Sequence, residues 1–374
     1  MARLDQICSL NMGQSPDSSS YNENGEGMPF FQGNADFGKV HPRVRVWCSA
    51  PTKVAHAGDV LISVRAPIGA LNIADRECCI GRGLAALTVN EELCNKDYLW
   101  YAIASKVDEL NSKGTGSTFK AISKSVLAET EIPLPALAEQ QIVAGRLAKV
   151  DELIALRKEQ LAKLDQLVKS RFIELFGDPI SNPHGFDKVA LSELAEIKIG
   201  PFGSLLHKED YIEGGHALLN PSHIIDGKVA PDNKLTVSPQ KYEELSAYHL
   251  KTGDVVMGRR GEMGRCAVVP CEGYLCGTGS LLIRTKGEVT ADYIQKIISF
   301  PSFKKTIEDM AVGQTMPNLN VPIVSNFQII KPPIEVQKSY YAFIEQTDES
   351  KMAIQQSLDK LELLKKSLMQ EYFG

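Results

Sequence analysis

Several short stretches place Arg, Asn, Gln, Ser and Thr beside glycine: Gln32-Gly33-Asn34, Arg43-Val44-Arg45, Gly116-Ser117-Thr118-Phe119-Lys120, Arg259-Arg260 and Gln314-Thr315-Met316-Pro317-Asn318. These side chains suit recognition of nucleic acid. An arginine fork matches the two acceptors on a guanine edge, and the carboxamides of Asn and Gln match adenine. Ser, Thr and Lys hold phosphates. The competing explanation is ordinary loop chemistry, because turns favour Asn, Ser and Gly for backbone reasons. In the first half of the chain the candidate contacts are Gln32, Arg43, Arg45, Arg65, Arg82, Ser117, Thr118 and Lys120. In the second half they are Asn220, Arg259, Arg260, Arg265, Thr278, Gln314, Thr315 and Asn318.

Catalytic constellations are weaker. Gly81-Arg82-Gly83 and Gly277-Thr278-Gly279 lack the Gly-Lys-Ser/Thr continuation that cradles phosphate. Asn220-Pro221-Ser222-His223 and Asn182-Pro183-His184 do not fit the Asn/Asp-Pro-Pro-aromatic loop of adenine methyltransferases. Glu196-Ile197-Lys198 has the Glu-x-Lys spacing of some nucleases, but its counterpart in the first half is Ser9-Leu10-Asn11. The eight cysteines form no C-x-x-C pair, and Cys266, Cys271 and Cys276 have no histidine beside them. No catalytic residue and no metal ligand is therefore assigned. Reduced thiols, the absence of an apolar run of about 18 residues and an N-terminus, Met1–Asp5, without a signal-peptide core lead us to expect a cytoplasmic protein with no membrane contact.

Charge sets a condition on any nucleic-acid reading. Forty-one Lys and Arg against 46 Asp and Glu give a net charge of −5. A chain that grips a duplex alone is usually basic. Either the positive charge is focused on one face or a partner supplies much of the phosphate grip, and we expect both.

The elements that position these residues come twice. Gly58-Asp59-Val60-Leu61 returns as Gly253-Asp254-Val255-Val256, Arg65 as Arg260, Gly69 as Gly264, and Asp97-Tyr98-Leu99 as Asp292-Tyr293-Ile294. Leu175-Phe176-Gly177 returns as Tyr372-Phe373-Gly374, and Gln140 as Gln337. An ordered set of landmarks at a near-constant offset marks a duplicated unit. The chain divides into 1–135, 136–185, 186–332 and 333–374. The first and third parts are mixed α/β (α+β) and strand-rich, with runs such as 60–64, 84–89, 254–257 and 280–283 bounded by glycine turns. Helical spacing over 98–111 and 291–310 adds a helix to each.

The second part is a long helix followed by a linker, 177–185, whose prolines stop the helix, and the fourth part is a long helix. From 138 to 176 the apolar positions step by four and three, a coiled-coil seam interrupted by Arg157 and Arg171. The pairing residues are Val150, Ile154, Leu161, Leu164 and Val168 on the first helix, and Ile354, Leu358, Leu361, Leu364 and Leu368 on the second. Such a stripe does not stay exposed on a monomer, and each copy is the simplest partner for the other. The expectation is two strand-rich domains separated by two long antiparallel coiled-coil helices; parallel self-dimerisation is the alternative.

Gly13-Gln14-Ser15-Pro16, Tyr21, Gly27, Pro29-Phe30 and Gln32-Gly33 resemble the opening of a target recognition domain from type I restriction–modification systems. Gly58–Leu61, Gly116-Ser117-Thr118, Ile132–Pro135 and Glu139–Ile142 resemble its later landmarks. The whole chain is similar to the specificity (S) subunit of those systems. The second domain departs at Gly200-Pro201-Phe202-Gly203-Ser204 and at Gln314 in place of Ser117. The resemblance implies that 1–135 and 186–332 each read half of a split duplex DNA target and that the helices fix the gap between the halves. It implies two methyltransferase (M) subunits bringing S-adenosylmethionine, and restriction (R) subunits using ATP and Mg2+. The chain itself would be non-catalytic. Two other readings stay open: a nuclease working through Glu196 and Lys198, and a coiled-coil adaptor that binds only proteins.

Overall fold

A computed structural model describes residues 1–116, 120–311 and 318–374. The chain forms two compact units, one of residues 1–160 with 354–374 and the other of residues 161–353.

In the first unit the central layer is an antiparallel sheet in the order Cys8–Met12, Leu84–Val89, Val60–Ser63, Leu71–Ile73. Val60 and Ile62 face one core with Leu4, Tyr98, Leu99 and Ile103, whereas Leu61 faces another with Phe31, Ile80 and Leu84. A strand covered on both faces cannot alternate polar and apolar residues, which explains the unbroken apolar run. The outer layer is a five-stranded sheet in the order Tyr21–Asn22, Val46–Cys48, Met28–Phe31, Cys78–Ile80, Val54–Ala55. Its pair Met28–Phe31 and Cys78–Ile80 is parallel, with Phe30 opposite Cys79.

The second unit repeats this plan. Its central sheet runs Ala195–Ile199, Ser280–Thr285, Val255–Gly258, Cys266–Val268, and its five-stranded sheet again holds one parallel pair, with Leu218 opposite Leu275. An added hairpin, Ile224–Ile225 with Lys228–Val229, has no counterpart in the first unit among the described residues. The mixed α/β character and the duplication expected from the sequence are both present. The helical stretches are shorter than their spacing suggests. The first breaks at Lys106 into Lys96–Ser105 and Val107–Ser112, and the second breaks before Pro301 into Ala291–Ile298 and Pro301–Met310. A proline cannot donate the helical hydrogen bond that would continue the turn.

The long helices are Leu137–Phe176 and Ile334–Phe373, each 40 residues. In the first unit the segment 137–160 lies antiparallel to 354–373: Asp151 binds Lys365 at 2.6 Å, Lys158 binds Glu362 at 2.8 Å, and Arg146 donates to the Tyr372 hydroxyl at 2.9 Å. In the second unit the pairing is again antiparallel, with Asp165 to Lys351 at 2.8 Å and the Tyr340 hydroxyl donating to the Val168 carbonyl at 3.3 Å. Val150 and Leu358 are buried, and Ile154, Leu161, Leu164, Val168, Ile354, Leu361 and Leu368 are half-buried. Leu364 is a correction. It is 45% exposed, and Lys365 takes the seam position. A 4–3 alternation continued from Leu358 and Leu361 lands on 365; the aliphatic type of Leu364 misleads.

Each helix is fastened to a globular part by a wholly buried glutamine. Gln140 donates to the carbonyls of Leu93 (3.1 Å) and Pro135 (2.8 Å) and accepts from the Asn95 amide (2.8 Å). Gln337 donates to the Pro332 carbonyl (2.9 Å) and accepts from the Thr290 amide (3.0 Å). Tyr98 and Tyr293 occupy equivalent places and donate to the carbonyls of Pro133 and Ile330. The repeated Phe-Gly endings meet these tyrosines. Phe373 lies 5.2 Å from Tyr98 in the first unit, and Phe176 lies 5.2 Å from Tyr293 in the second. The end of each long helix thus completes the core of the unit it reaches.

Candidate nucleic-acid interface

In the first unit the recognition chemistry gathers where the two sheets cross. The strand Met28–Phe31 runs into a short turn, Asn34–Asp36. Asp36 is buried and organises this loop, accepting from the amides of Gln32 (2.8 Å) and Gly33 (3.4 Å). Arg45 pairs with the same carboxylate. Arg45 is therefore engaged in holding the loop, and the Gln32 side chain is left exposed. The Gly81-Arg82-Gly83 turn packs directly on this backbone: Gly81 and Gly83 donate to the carbonyls of Phe31 (2.8 Å) and Gln32 (3.1 Å). A Cβ on Gly83 would stand 2.4 Å from the Gln32 carbonyl oxygen, and one on Gly13 would stand 2.2 Å from that of Gly81. Glycine is required because two backbones touch.

The crossing projects Arg82 outward. Arg65 follows the central strand, and the Ala66 amide next to it donates to the Lys120 carbonyl at 3.0 Å. Gln32, Asn34, Arg65 and Arg82 thereby line one cleft of about 230 Å3. Arg65, Arg82 and Lys120 are exposed and have no ion-pair partner among the described residues. Arg43 is exposed outside that lining. Ser117 and Thr118 lie outside the described residues.

The second unit has the same crossing with other side chains. The hydrogen bond from the Val64 amide to the Gly83 carbonyl becomes one from Arg259 to Gly279 at 3.0 Å, and that from Ile122 to Val64 becomes Leu319 to Arg259 at 2.9 Å. Gln32, Arg65 and Arg82 thus correspond to Asn220, Arg260 and Thr278. Asn220 turns inward, its carboxamide oxygen accepting from the Gly279 amide at 3.3 Å. Thr278 is exposed. Arg265 is bound to Glu262 at 2.6 Å and to the Pro221 carbonyl at 3.2 Å. Glu262 also takes Lys304 at 3.0 Å, and these two cations hold its carboxyl below the usual range. Arg260 is exposed, and Arg259 is half-buried with its Nε donating to Asn318 Oδ1 at 3.1 Å. Burial, with Arg260 beside it, pushes the Arg259 guanidinium down from its ordinary value. Gln314 and Thr315 lie outside the described residues.

The nuclease reading gains nothing from the structure. Glu196 and Lys198 sit on one face of the strand Ala195–Ile199 and bind each other at 2.8 Å. Among the described residues no three His, Cys, Asp or Glu side chains converge to hold a metal. Burial pushes the thiols of Cys8, Cys78, Cys266 and Cys276 up to about 12, where thiolate chemistry is suppressed. No described helix is long and apolar enough to cross a membrane. Sequence reasoning missed Asp36 and the inward turn of Asn220; the only signal for either was its place beside a glycine crossing.

The architecture is a duplicated two-sheet domain, each copy carrying its own polar face at the sheet crossing and each closed by an antiparallel pair of long-helix segments. The family model for the type I restriction modification DNA specificity domain matches residues 1–166 and again 183–363, and the chain belongs to that family. A Methanocaldococcus jannaschii protein described as the MjaX specificity subunit of a type I restriction enzyme is 43% identical over 158 residues. That match spans 42% of this chain and 37% of the relative's length. The MjaIX specificity subunit of the same organism is 24% identical over 83% of this chain and 76% of its own. Among solved structures, a chain from a study of assembly and conformational transition of the type I R-M system aligns with a TM-score of 0.66 at 18% identity, over 99% of this chain and 96% of that one. The type I S subunit of M. genitalium aligns at 0.57 and 16%, over 100% and 95%. At these identities the shared property is the fold.

Proposed function

We propose that this chain selects the DNA target of a type I restriction–modification enzyme, with the unit built around 1–135 reading one half of a bipartite duplex site and the unit built around 186–332 reading the other. One observation carries this reading: the same backbone crossing occurs twice, with Gln32, Arg65 and Arg82 in one copy and Asn220, Arg260 and Thr278 in the other. Equal scaffolds with unequal polar faces are what reading two different half-sites requires. The long helices set the unread gap, each about 60 Å long at 1.5 Å per residue.

The net charge of −5 supports shared grip on the duplex. Two methyltransferase subunits supply S-adenosylmethionine and transfer methyl groups to adenine, and restriction subunits supply the ATP- and Mg2+-dependent cleavage. The site of action is the cytoplasm. Gel shifts with a duplex carrying the target test this reading. Tight, sequence-dependent binding is expected with the methyltransferase partner present, and Arg65→Ala with Arg82→Ala should weaken it and reduce its salt dependence by about one counterion per lost phosphate contact. Equal binding to all sequences would refute the reading, as would magnesium-dependent cutting by the isolated chain.

A further inference from the structure

The geometry points to Arg259 as the residue that reads a guanine in the second half-site, with Asn318 as the positioning residue that aims it. The inference rests on the DNA-recognition reading above and assigns the chemistry of one of its two faces.

Arg259 leaves the end of the strand Val255–Gly258, where the first unit has the buried Val64. Its partner position, Asn318, corresponds to Ala121: Arg65 bridges Ala121 in one unit, and Arg260 bridges Asn318 in the other. Two apolar residues in one copy, Val64 and Ala121, have thus become a polar pair in the other. The pair is directional. Asn318 Oδ1 takes the Nε–H of Arg259 at 3.1 Å, which fixes the guanidinium plane and leaves the two terminal nitrogens, the fork that matches O6 and N7 of guanine. A side chain held by a neighbour in this way is presented with little left to order on binding.

Charge supports a missing acceptor. Arg259 and Arg260 are adjacent, and neither has an ion-pair partner among the described residues. The sequence of 312–317, Val-Gly-Gln-Thr-Met-Pro, supplies no carboxylate. A half-buried guanidinium with a second arginine next to it in sequence and no carboxylate partner among the described residues is stabilised by an electronegative ligand. Among the other described candidates of this face, Asn220 is committed to Gly279 and Arg265 to Glu262, while the exposed Arg260 has no side-chain neighbour that aims it among the described residues.

The test uses the assembled methyltransferase complex and a duplex carrying its mapped target. Each G·C pair of the second half-site is replaced in turn, once by A·T and once by a 7-deazaguanine pair that lacks the N7 acceptor. With the unaltered chain, one such pair should cost about tenfold or more in methylation rate when replaced. Arg259→Ala should abolish that discrimination, Asn318→Ala should diminish it, and Asn318→Asp, which keeps the acceptor for Nε, should restore it. Discrimination at the first half-site should be unchanged in all three, a selectivity that loss of folding would not produce. Undiminished guanine discrimination in Arg259→Ala overturns the inference while leaving the DNA-recognition reading standing; so does a second half-site with no guanine on either strand. Failure of the unaltered complex to prefer its mapped target would count against the underlying reading instead.

Discussion

Replacing Gln140 by methionine removes a fastener without changing side-chain length much. Gln140 is fully buried and makes three hydrogen bonds: to the carbonyls of Leu93 and Pro135 and from the Asn95 amide. Methionine leaves all three backbone groups without this partner at part-buried positions, so the penalty stays at the lower end of that for full burial. A buried polar group without a partner costs about 1–3 kcal/mol, so the loss comes to roughly 3–6 kcal/mol after some relaxation. Gln337 makes two such bonds, and Gln337→Met should cost about two thirds as much on the same principle. For units of this size 1 kcal/mol moves a melting midpoint by roughly 2–4 °C, and the Gln140 variant should lose about 10 °C or more in the transition that reports its own unit. Because a two-unit chain need not melt in one step, the assay is calorimetry together with hydrogen exchange resolved to peptides around 90–100 and 285–295. The reasoning fails if Gln140→Met costs less than about 1 kcal/mol, a value typical of a single net hydrogen bond. It also fails if the Gln337 variant is the more damaging of the two.

Three further outcomes follow from the same structure. Leu358→Ala should destabilise by about 2–4 kcal/mol because the side chain is 5% exposed, whereas Leu364→Ala, at 45% exposed, should change urea midpoints little. Gly145→Ala should stabilise by about 0.5–1 kcal/mol, because the glycine is inside a helix and a Cβ there meets nothing within 4 Å; a lowered melting temperature would show a contact the packing does not contain. Glu262→Gln should cost less than about 1 kcal/mol at neutral pH, since the ion pairs are exposed. The Glu262 carboxyl is held below its usual range by Arg265 and Lys304. Its contribution is therefore complete above the ordinary glutamate value of about 4.3 and is lost as the pH falls from there through the lower folded value. Stability curves of the variant and the parent chain should converge in acid, and a gap that widened there would reverse the sign of the argument.

Much of the fold was legible because its signals are periodic or repeated. The long helices follow from a 4–3 step sustained over ten positions, and the duplication follows from landmarks such as Gly58-Asp59 and Gly253-Asp254. The central strands are readable because burial on both faces gives unbroken apolar runs. The five-stranded sheets were not, since strands such as Tyr21–Asn22 and Val54–Ala55 are two residues long and carry no period. Leu364 misled because side-chain type and seam register disagree at that point. At the candidate interface, residue type alone could not separate a side chain that faces outward from one that serves the backbone. Gln32 and Asn220 are chemically alike and occupy equivalent positions, yet one is exposed and the other accepts from Gly279. That difference depends on which backbone lies 3 Å away, which no local pattern encodes.

The central claim is that one half of the DNA target belongs to each unit. Its most direct test is adenine-methylation mapping across genomic DNA after residues 186–332 are exchanged for the equivalent segment of another specificity subunit, in cells that hold the methyltransferase partner. The account predicts that one half-site changes while the other half-site and the spacer length stay as they were. A change in both half-sites, or an unaltered target, would contradict it.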